Sequence, residues 1–557
     1  MSVGQWLTSH DGLVAAAQIT VWAGLLAAAS PALARAFVAL PRATRVGLVL
    51  LSVAGFCVSA FGFPVFDRFM ALGHEASYAE CFEGASTPSS EHGWQPYVTY
   101  PLIRWAYWVI GGVVGRDDIG VLQVLNMALR GLSIGFVGLT AGVLFRRSEA
   151  AVLAALLLAL HPTHAFWGTT IYNVPIPFFF ASLCVLLSVV AWREGSARVL
   201  AAAAATGCLV VATRIEWGIL APGLALLLFG GLGGAWGRSE AVRTRAFWWP
   251  AGLLVAAYGL SILAGAGALT TQGGYHDVLG YLETMGRQIW ILDFFEPLQR
   301  PWALLMTFVG AVFTARRLPG GGRMIGGLAA FVLVTHAAVT TFNDFAYRHD
   351  LLAGIGAILL ASAAGPAMTD AWKAGGSARG LAAGLALLLA GTLTSAGIAL
   401  RTNVQRYYIT VEEFQATHPG FASPVLSHQD LEDGRCYLIT DNERLWSLGL
   451  AGSHFNLMEP GEAALHWSEH DGCIEWLFDV TDYRVDGLAV RARALKIDRW
   501  FDWELIGHAS FPDGNEAVVY RMTSPPWGLT EPPPGWRWGD EELGGEEEKE
   551  QGEVQSP

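Results

Sequence analysis

Runs of about twenty apolar residues recur through the first 400 positions of this 557-residue chain. A helix of that length matches the hydrocarbon thickness of a bilayer. Candidate spans fall at approximately 13–35, 46–66, 121–145, 149–162, 174–192, 197–213, 216–235, 246–268, 300–315, 323–342, 349–366 and 379–400, about twelve in all. In lipid the backbone satisfies its own polar groups only as a helix or a closed barrel. The charged share is 15%, against about 25% in soluble domains. The 65 glycines suit close helix contacts in lipid. The expected fold is an all-α polytopic membrane protein of about 12 transmembrane helices, followed by a small α/β extracytoplasmic C-terminal domain. The first apolar run lacks a basic n-region, although Ala32-Leu33-Ala34 mimics a small-residue cleavage site. No cleavable signal peptide is expected there.

Short basic loops orient the spans. Arg42 and Arg45, Arg146 and Arg147, Arg193 and Arg198, Arg238, Arg243 and Arg245, Arg316, Arg317 and Arg323, and Lys373 and Arg379 occupy alternate loops. Positive residues mark the cytoplasmic side. The N-terminus, the 66–118 loop and everything after Leu400 are then expected outside the cytoplasm. Tyr100 to Gly115 is also apolar, but Arg104 and its aromatics suggest a helix lying in the interface.

Past Leu400 the chain changes character. From Arg401 onward there are 12 basic and 29 acidic residues, while the first 400 positions hold 23 and 19. The acidic excess therefore belongs to the C-terminal region, and nothing supports nucleic-acid binding. Cys436–Thr440 and Glu516–Tyr520 read as strands, and Glu475–Phe478 as strand or helix. The expected division is 1–45, an extra N-terminal span and cytoplasmic loop; 46–400, the main transmembrane domain with external loop 66–118; 401–525, the α/β domain; and 526–557, a disordered acidic tail. Cys436 and Cys473 both lie in the 401–525 stretch and are expected to pair if it sits in an oxidising compartment.

Ionisable groups at the external ends of spans call for an explanation. The 66–118 loop carries Asp67, His74, Glu75, Glu80, Glu83, Glu91 and His92, with Tyr78 and Trp94 among them. A second external loop offers His161, His164, Tyr172 and Asn173. Arg214 and Glu216 interrupt two apolar runs with almost no loop between them. Asn343, Asp344, Tyr347, Arg348, His349 and Asp350 cluster at another external end. All four groups are expected on one side. A carboxylate there can take a proton from an acceptor hydroxyl. Arginines can stabilise a departing lipid phosphate. Most Trp and Tyr residues at span ends read as an aromatic belt. There is no internal repeat, Walker loop, dinucleotide fingerprint or closely spaced zinc motif.

His74-Glu75-Ala76-Ser77-Tyr78-Ala79, then Tyr100-Pro101-Leu102, Leu144-Phe145-Arg146-Arg147, His161-Pro162, Thr213-Arg214-Ile215-Glu216 and Tyr347-Arg348-His349-Asp350-Leu351 follow one another in the order of a known pattern. Residues 46–400 resemble the polyprenyl-phosphate-sugar-dependent glycosyltransferases of the GT-C fold, such as protein mannosyltransferases and the aminoarabinose transferase of lipid A. The first external loop of that family carries Asp-Glu-x-x-Tyr-Ala. The resemblance implies a bacterial inner-membrane enzyme, with its C-terminal domain outside the cytoplasm. It would move a sugar from a polyprenyl-phosphate donor to a lipid, glycan or protein acceptor on the external face, with inversion. Glu75 is the candidate base, with Asp67 in reserve and His74 beside them. Arg214 and Arg348 are the candidate phosphate contacts, with Glu216 next to Arg214. Tyr78 and Trp94 are candidate apolar walls. No cofactor is required by the pattern, and a divalent metal is left open, His161 and His164 joining His74 being one arrangement.

Three departures keep other readings open. The family's first acid is His74 here, its second external loop often has an acid where this chain has Asn173, and the 13–35 span is additional. Glu75 or Asp67 supplies the missing carboxylate, or the chain is an inactive GT-C-like scaffold whose C-terminal domain binds a partner. A transporter or flippase is the third reading. It expects charges near the bilayer midplane and broken spans there.

Overall fold

The computed structural model describes residues 10–62, 120–168, 174–213, 215–233, 240–264, 295, 298–339, 351–407, 437–440, 453–454, 473–479, 503–510 and 516–522. They belong to two compact units, a helical one and a sheet that follows it in the chain.

The helical unit opens with α1 (His10–Val38), α2 (Arg42–Gly62), α3 (Gly120–Phe145), α4 (Ser148–Ala159), the single-turn-scale α5 (Pro162–Trp167), α6 (Pro175–Glu194) and α7 (Ala197–Thr213). A 3₁₀ turn at Ile215–Ile219, α8 (Leu220–Ala225) and a π-helical turn at Leu226–Leu232 follow. Then come α9 (Glu240–Arg243), α10 (Arg245–Ala264), α11 (Arg300–Arg317), α12 (Gly321–Val339), α13 (Leu351–Ala361), α14 (Ala364–Ala374) and α15 (Ala378–Tyr407). Within the described residues most expected spans fall on one helix each, and the one placed at 216–235 falls on the 3₁₀ turn, α8 and the π-helical turn in succession. The span placed at 349–366 is a pair, α13 and α14, reaching Ala374. Among the described residues, six stretches are long and apolar enough to cross a membrane, Gln123–Phe145 and Pro175–Glu194 being two of them. Four shorter apolar helices join them. The chain is a polytopic integral membrane protein.

Local chemistry sets the helix ends. Pro175 and Pro177 open α6, where a missing N–H is harmless. Gly195, at φ 63°, closes it in the left-handed conformation that glycine tolerates. Arg146 closes α3 with φ 54°, an uncommon conformation for a residue with a Cβ.

Close approaches show how the helices run. Along α3, Gly131 lies against Ser52, Gly138 against Leu48 and Gly142 against Leu40, so α2 and α3 are antiparallel. Gly138 and Gly142 also meet Ala151 of α4, and Gly207 meets Cys184 across the α6–α7 hairpin. Gly223 faces Phe331 and Thr335, whereas Gly231 faces Gly327, so the Leu220–Leu232 stretch and α12 are antiparallel too. At that last crossing a Cβ on Gly327 would stand 2.5 Å from the Gly231 Cα, so only glycine allows it. Gly356 of α13 faces Phe331 of α12, and Gly365 of α14 faces the Glu149 carbonyl of α4.

These directions give the unit two chemically different ends. The turns at 39–41, 146–147, 195–196, 318–320 and 375–377, each flanked by arginine or lysine, share one end. The helix ends at Gly62, Gly120, Ala159, Pro175, Thr213, Ile215, Val339 and Leu351 share the other. At the basic end Arg147 bonds Asp370 of α14 and lies 3.6 Å from Glu149. The additional helix α1 is seated on α6 and α7. Its Trp22 donates to Thr206 Oγ1 at 3.0 Å and meets Phe180 edge-on at 5.4 Å, and its Arg35 pairs with Glu194 at 2.7 Å.

The second unit is a mixed sheet ordered β2-β1-β3-β5-β4, from β1 (Tyr437–Thr440), β2 (Ser453–His454), β3 (Ile474–Asp479), β4 (Trp503–Ser510) and β5 (Glu516–Met522). β1 pairs in parallel with β2 and β3, and β5 runs antiparallel to β3 and β4. The segment left open as strand or helix is thus strand β3, while β2 and β4 were not foreseen. Cys473, just before β3, is disulfide-bonded. Its expected partner Cys436 lies outside the described residues. The parallel register pairs Tyr437 with Ile474, the positions that follow the two cysteines.

Candidate functional site

At the end opposite the basic turns, α3 presents a polar face to the protein interior. Gln123, Asn126, Arg130 and Ser133 are all buried, and their spacing places them on one side of the helix. Arg130 is 0% exposed and lies seven residues inside the Gln123–Phe145 span, about 10 Å by helix rise. A charge at that depth is costly unless it is given partners. Its Nη1 donates to the Gly55 carbonyl and, at 3.0 Å, to Ser59 Oγ. Its Nη2 donates to the Ala159 carbonyl at 2.5 Å. Those acceptors belong to α2 and to the last residue of α4. Among the described residues no carboxylate pairs with Arg130, and its Nε has no hydrogen-bond partner.

Two buried histidines stand beside it. His161 caps α5, its Nδ1 accepting the His164 N–H at 3.3 Å, with Pro162 at the first helical position. The His161 ring lies 6.1 Å from Phe295 and the His164 ring 4.5 Å from Phe178. His164 Nδ1 has no hydrogen-bond partner among the described residues. Burial first, then the Arg130 and His161 charges, push the His164 imidazole well below its usual range, so it stays neutral at pH 7. Gly168 ends this turn directly over the Arg130 stem, where a Cβ would overlap Arg130 Cδ.

Of the residues singled out from the sequence, Asp67, His74, Glu75, Tyr78, Trp94, Arg214 and Arg348 lie outside the described residues. The backbone of Glu216 is in the 3₁₀ turn at Ile215–Ile219, and its side chain is outside the description. His161 and His164 are brought together with Arg130, which the sequence reading passed over. The signal was present: a lone arginine inside an apolar run, aligned with Gln123, Asn126 and Ser133. Among the described residues, no group of three His, Cys, Asp or Glu side chains is placed to hold a metal ion.

No protein-family model and no curated protein matches the sequence. Solved structures do show a likeness. ArnT from Cupriavidus metallidurans bound to undecaprenyl phosphate is 12% identical, with a TM-score of 0.48, over 87% of this chain and 99% of that one. The Archaeoglobus fulgidus oligosaccharyltransferase in the apo form is also 12% identical, with a TM-score of 0.48, over 85% of this chain and 74% of that one. The archaeal oligosaccharyltransferase AglB from the same organism, in complex with an inhibitory peptide and a dolichol-phosphate, is 11% identical, with a TM-score of 0.46, over 86% and 74% of the two chains. The likeness is one of fold.

Proposed function

We propose that the chain is a membrane glycosyltransferase that moves a sugar from a polyprenyl-phosphate donor to an envelope acceptor, at the end of the helical unit opposite its basic turns. One observation carries the reading. The helix ends that flank the Glu75, Arg214 and Arg348 segments, namely Gly62 and Gly120, Thr213 and Ile215, and Val339 and Leu351, share that end. Basic turns on the cytoplasmic side would put it at the external membrane surface, where a lipid-linked donor keeps its tail in the bilayer. Glu75 takes the acceptor proton, with Asp67 in reserve and His74 positioning the loop or the acceptor. Arg214, with Glu216 beside it, and Arg348 meet the phosphate as the sugar–phosphate bond breaks, and inversion follows from direct attack. Tyr78 and Trp94 wall the sugar. The acceptor is a lipid, glycan or protein.

The test uses full-length protein in nanodiscs with a panel of undecaprenyl-phosphate-linked sugars and envelope extract, with and without EDTA, following release of undecaprenyl phosphate. Glu75→Gln is expected to lower turnover about 10²–10⁴-fold, the usual contribution of a general base. His74→Ala should lower it less. Undiminished turnover in Glu75→Gln moves the base to another acid, whereas a wild-type chain that consumes no donor favours the inactive scaffold.

A transporter gains two observations: Arg130 is a charge at membrane depth, and the Ile215–Leu232 stretch is broken into 3₁₀, α and π turns. Charges fall mainly at span ends in the sequence, and Arg130 is one that lies inside a span. Yet Arg130 is wholly enclosed and bound to two helix carbonyls, and a transport pathway needs water to reach its charge.

A further inference from the structure

Two of the three acceptors of Arg130, Ser59 and Ala159, lie near the ends of α2 and α4. Ser59 is one helical turn from Gly62, where α2 gives way to the stretch that carries Asp67, His74, Glu75 and Tyr78. Ala159 is the last residue of α4, two residues before the His161 cap of α5. A planar guanidinium offers its donors in a rigid fork that spans separate acceptors, whereas an ammonium on a flexible stem gathers its three donors at one point. Gly168 closes over the same stem from the far end of α5.

We propose that Arg130 is a positioning residue. It locks the ends of α2 and of α4–α5 to α3, so that the end of α2, which the acid-bearing segment follows in sequence, is held at a fixed place relative to the 161–168 turn. The inference rests on the glycosyltransferase reading. Arg130 touches no substrate in this role, because it is fully buried and its Nη groups are taken by the protein. Fixing α2 and α4 alone would be served as well by an apolar side chain of similar volume, which avoids burying a charge. The directional fork matters if the segments must be held to within a fraction of an ångström.

The measurement is steady-state turnover of the undecaprenyl-phosphate-linked sugar that the wild-type chain consumes, on full-length protein in nanodiscs, beside a melting curve for each variant. Arg130→Met is expected to lower kcat about 100-fold, the effect of misplacing a reacting group by about 1 Å, with KM for the donor little changed. Arg130→Lys should recover about a tenfold part of the loss, since the charge and its donors survive but the rigid fork that spans the acceptors does not. Gly168→Ala keeps the guanidinium but pushes on its stem, so it too should lower kcat and not raise KM. Should Arg130→Met fail to fold, Arg130→Lys and Gly168→Ala decide. Wild-type kcat in folded Arg130 and Gly168 variants, with Glu75→Gln inactive, overturns this inference and leaves the glycosyltransferase standing. A rise in KM at constant kcat overturns it also, since Arg130 would then contact the donor. No turnover by the wild-type chain removes both.

Discussion

Arg147 and Arg130 meet the membrane in opposite ways. Arg147, at the basic end, is 29% exposed and finds two acids, Asp370 and Glu149, on α14 and α4. Arg130, near the other end of α3, is 0% exposed and finds, among the described residues, only carbonyls and a hydroxyl. At the water boundary the pair is screened and replaceable, and it contributes little. Inside the protein a guanidinium without a counter-charge carries a desolvation penalty of several kcal/mol that its hydrogen bonds only partly offset. The contrast separates an arginine that marks sidedness from one whose removal disturbs the bundle.

The largest expected effect on stability lies with Arg130→Ala. It opens a cavity below Gly168 and takes the Arg130 donor from Ser59 Oγ and the Ala159 carbonyl, while the Gly55 carbonyl, inside α2, keeps its helical N–H. Each group left without a partner costs about 1–3 kcal/mol, and the cavity adds to that. Arg130→Met fills the space, so it should melt well above Arg130→Ala. Equal melting temperatures for Arg130→Ala and Arg147→Ala in the same detergent would erase the distinction between the two ends.

Much of the helical unit could be read from the sequence, because a bilayer imposes one requirement on every span: apolar length. Even the reversal between α7 and the 3₁₀ turn was signalled by Arg214 and Glu216. Apolar length does not say which helix is central. Leu351–Ala374 and Ala378–Arg401 are alike in composition, yet an apolar 18-residue window of the first is 89% buried and one of the second only 28%. The difference comes from contacts such as Gly310 against Ala364, where a Cβ would stand 2.6 Å from a backbone nitrogen. Arg130 went unread for a similar reason. Its partners lie 75, 71 and 29 residues away, and no local pattern in α3 announces them. In the sheet, β1 and β5 carry the β-branched and aromatic pattern of strands. β4 interrupts its apolar residues with Gly507 and His508, and its strand state is set by pairing with β5. The residues proposed for catalysis rest on motif order, since all but the Glu216 backbone fall outside the described positions.

A middle-sized effect separates the two ends by pH. Burial and Arg130 hold the folded His164 well below its usual pKa, whereas an unfolded histidine titrates near about 6.5. Below that pH the unfolded state binds a proton that the folded state refuses. Stability from this residue is therefore complete above about pH 6.5 and falls as the solution is acidified, by at most about 1.4 kcal/mol per pH unit. Melting curves at pH 5.0 and 7.5 in one detergent, for wild type and His164→Gln, read the difference between two slopes, so the other histidines cancel. The variant should be the less acid-sensitive. Identical slopes would mean that His164 is protonated in the folded protein and that the Arg130 end is wetter than its burial implies.

The smallest effect belongs to the basic end, where Arg147 and Asp370 join α4 to α14. Both side chains are about a third exposed, at 29% and 33%, so solvent weakens their attraction and salt screens it. A double-mutant cycle of Arg147→Ala and Asp370→Ala should return a coupling of about 0.2–1 kcal/mol, shrinking between 50 mM and 500 mM salt. Arg147→Lys should keep most of it, because a point charge serves a single carboxylate contact nearly as well as a fork does. That tolerance is the counterpart of the intolerance expected at Arg130, where the fork serves three acceptors. A salt-independent coupling of about 3 kcal/mol or more would instead class the pair with buried ion pairs. Arg147 would then be a structural lock in its own right, and the contrast between the two ends would be lost.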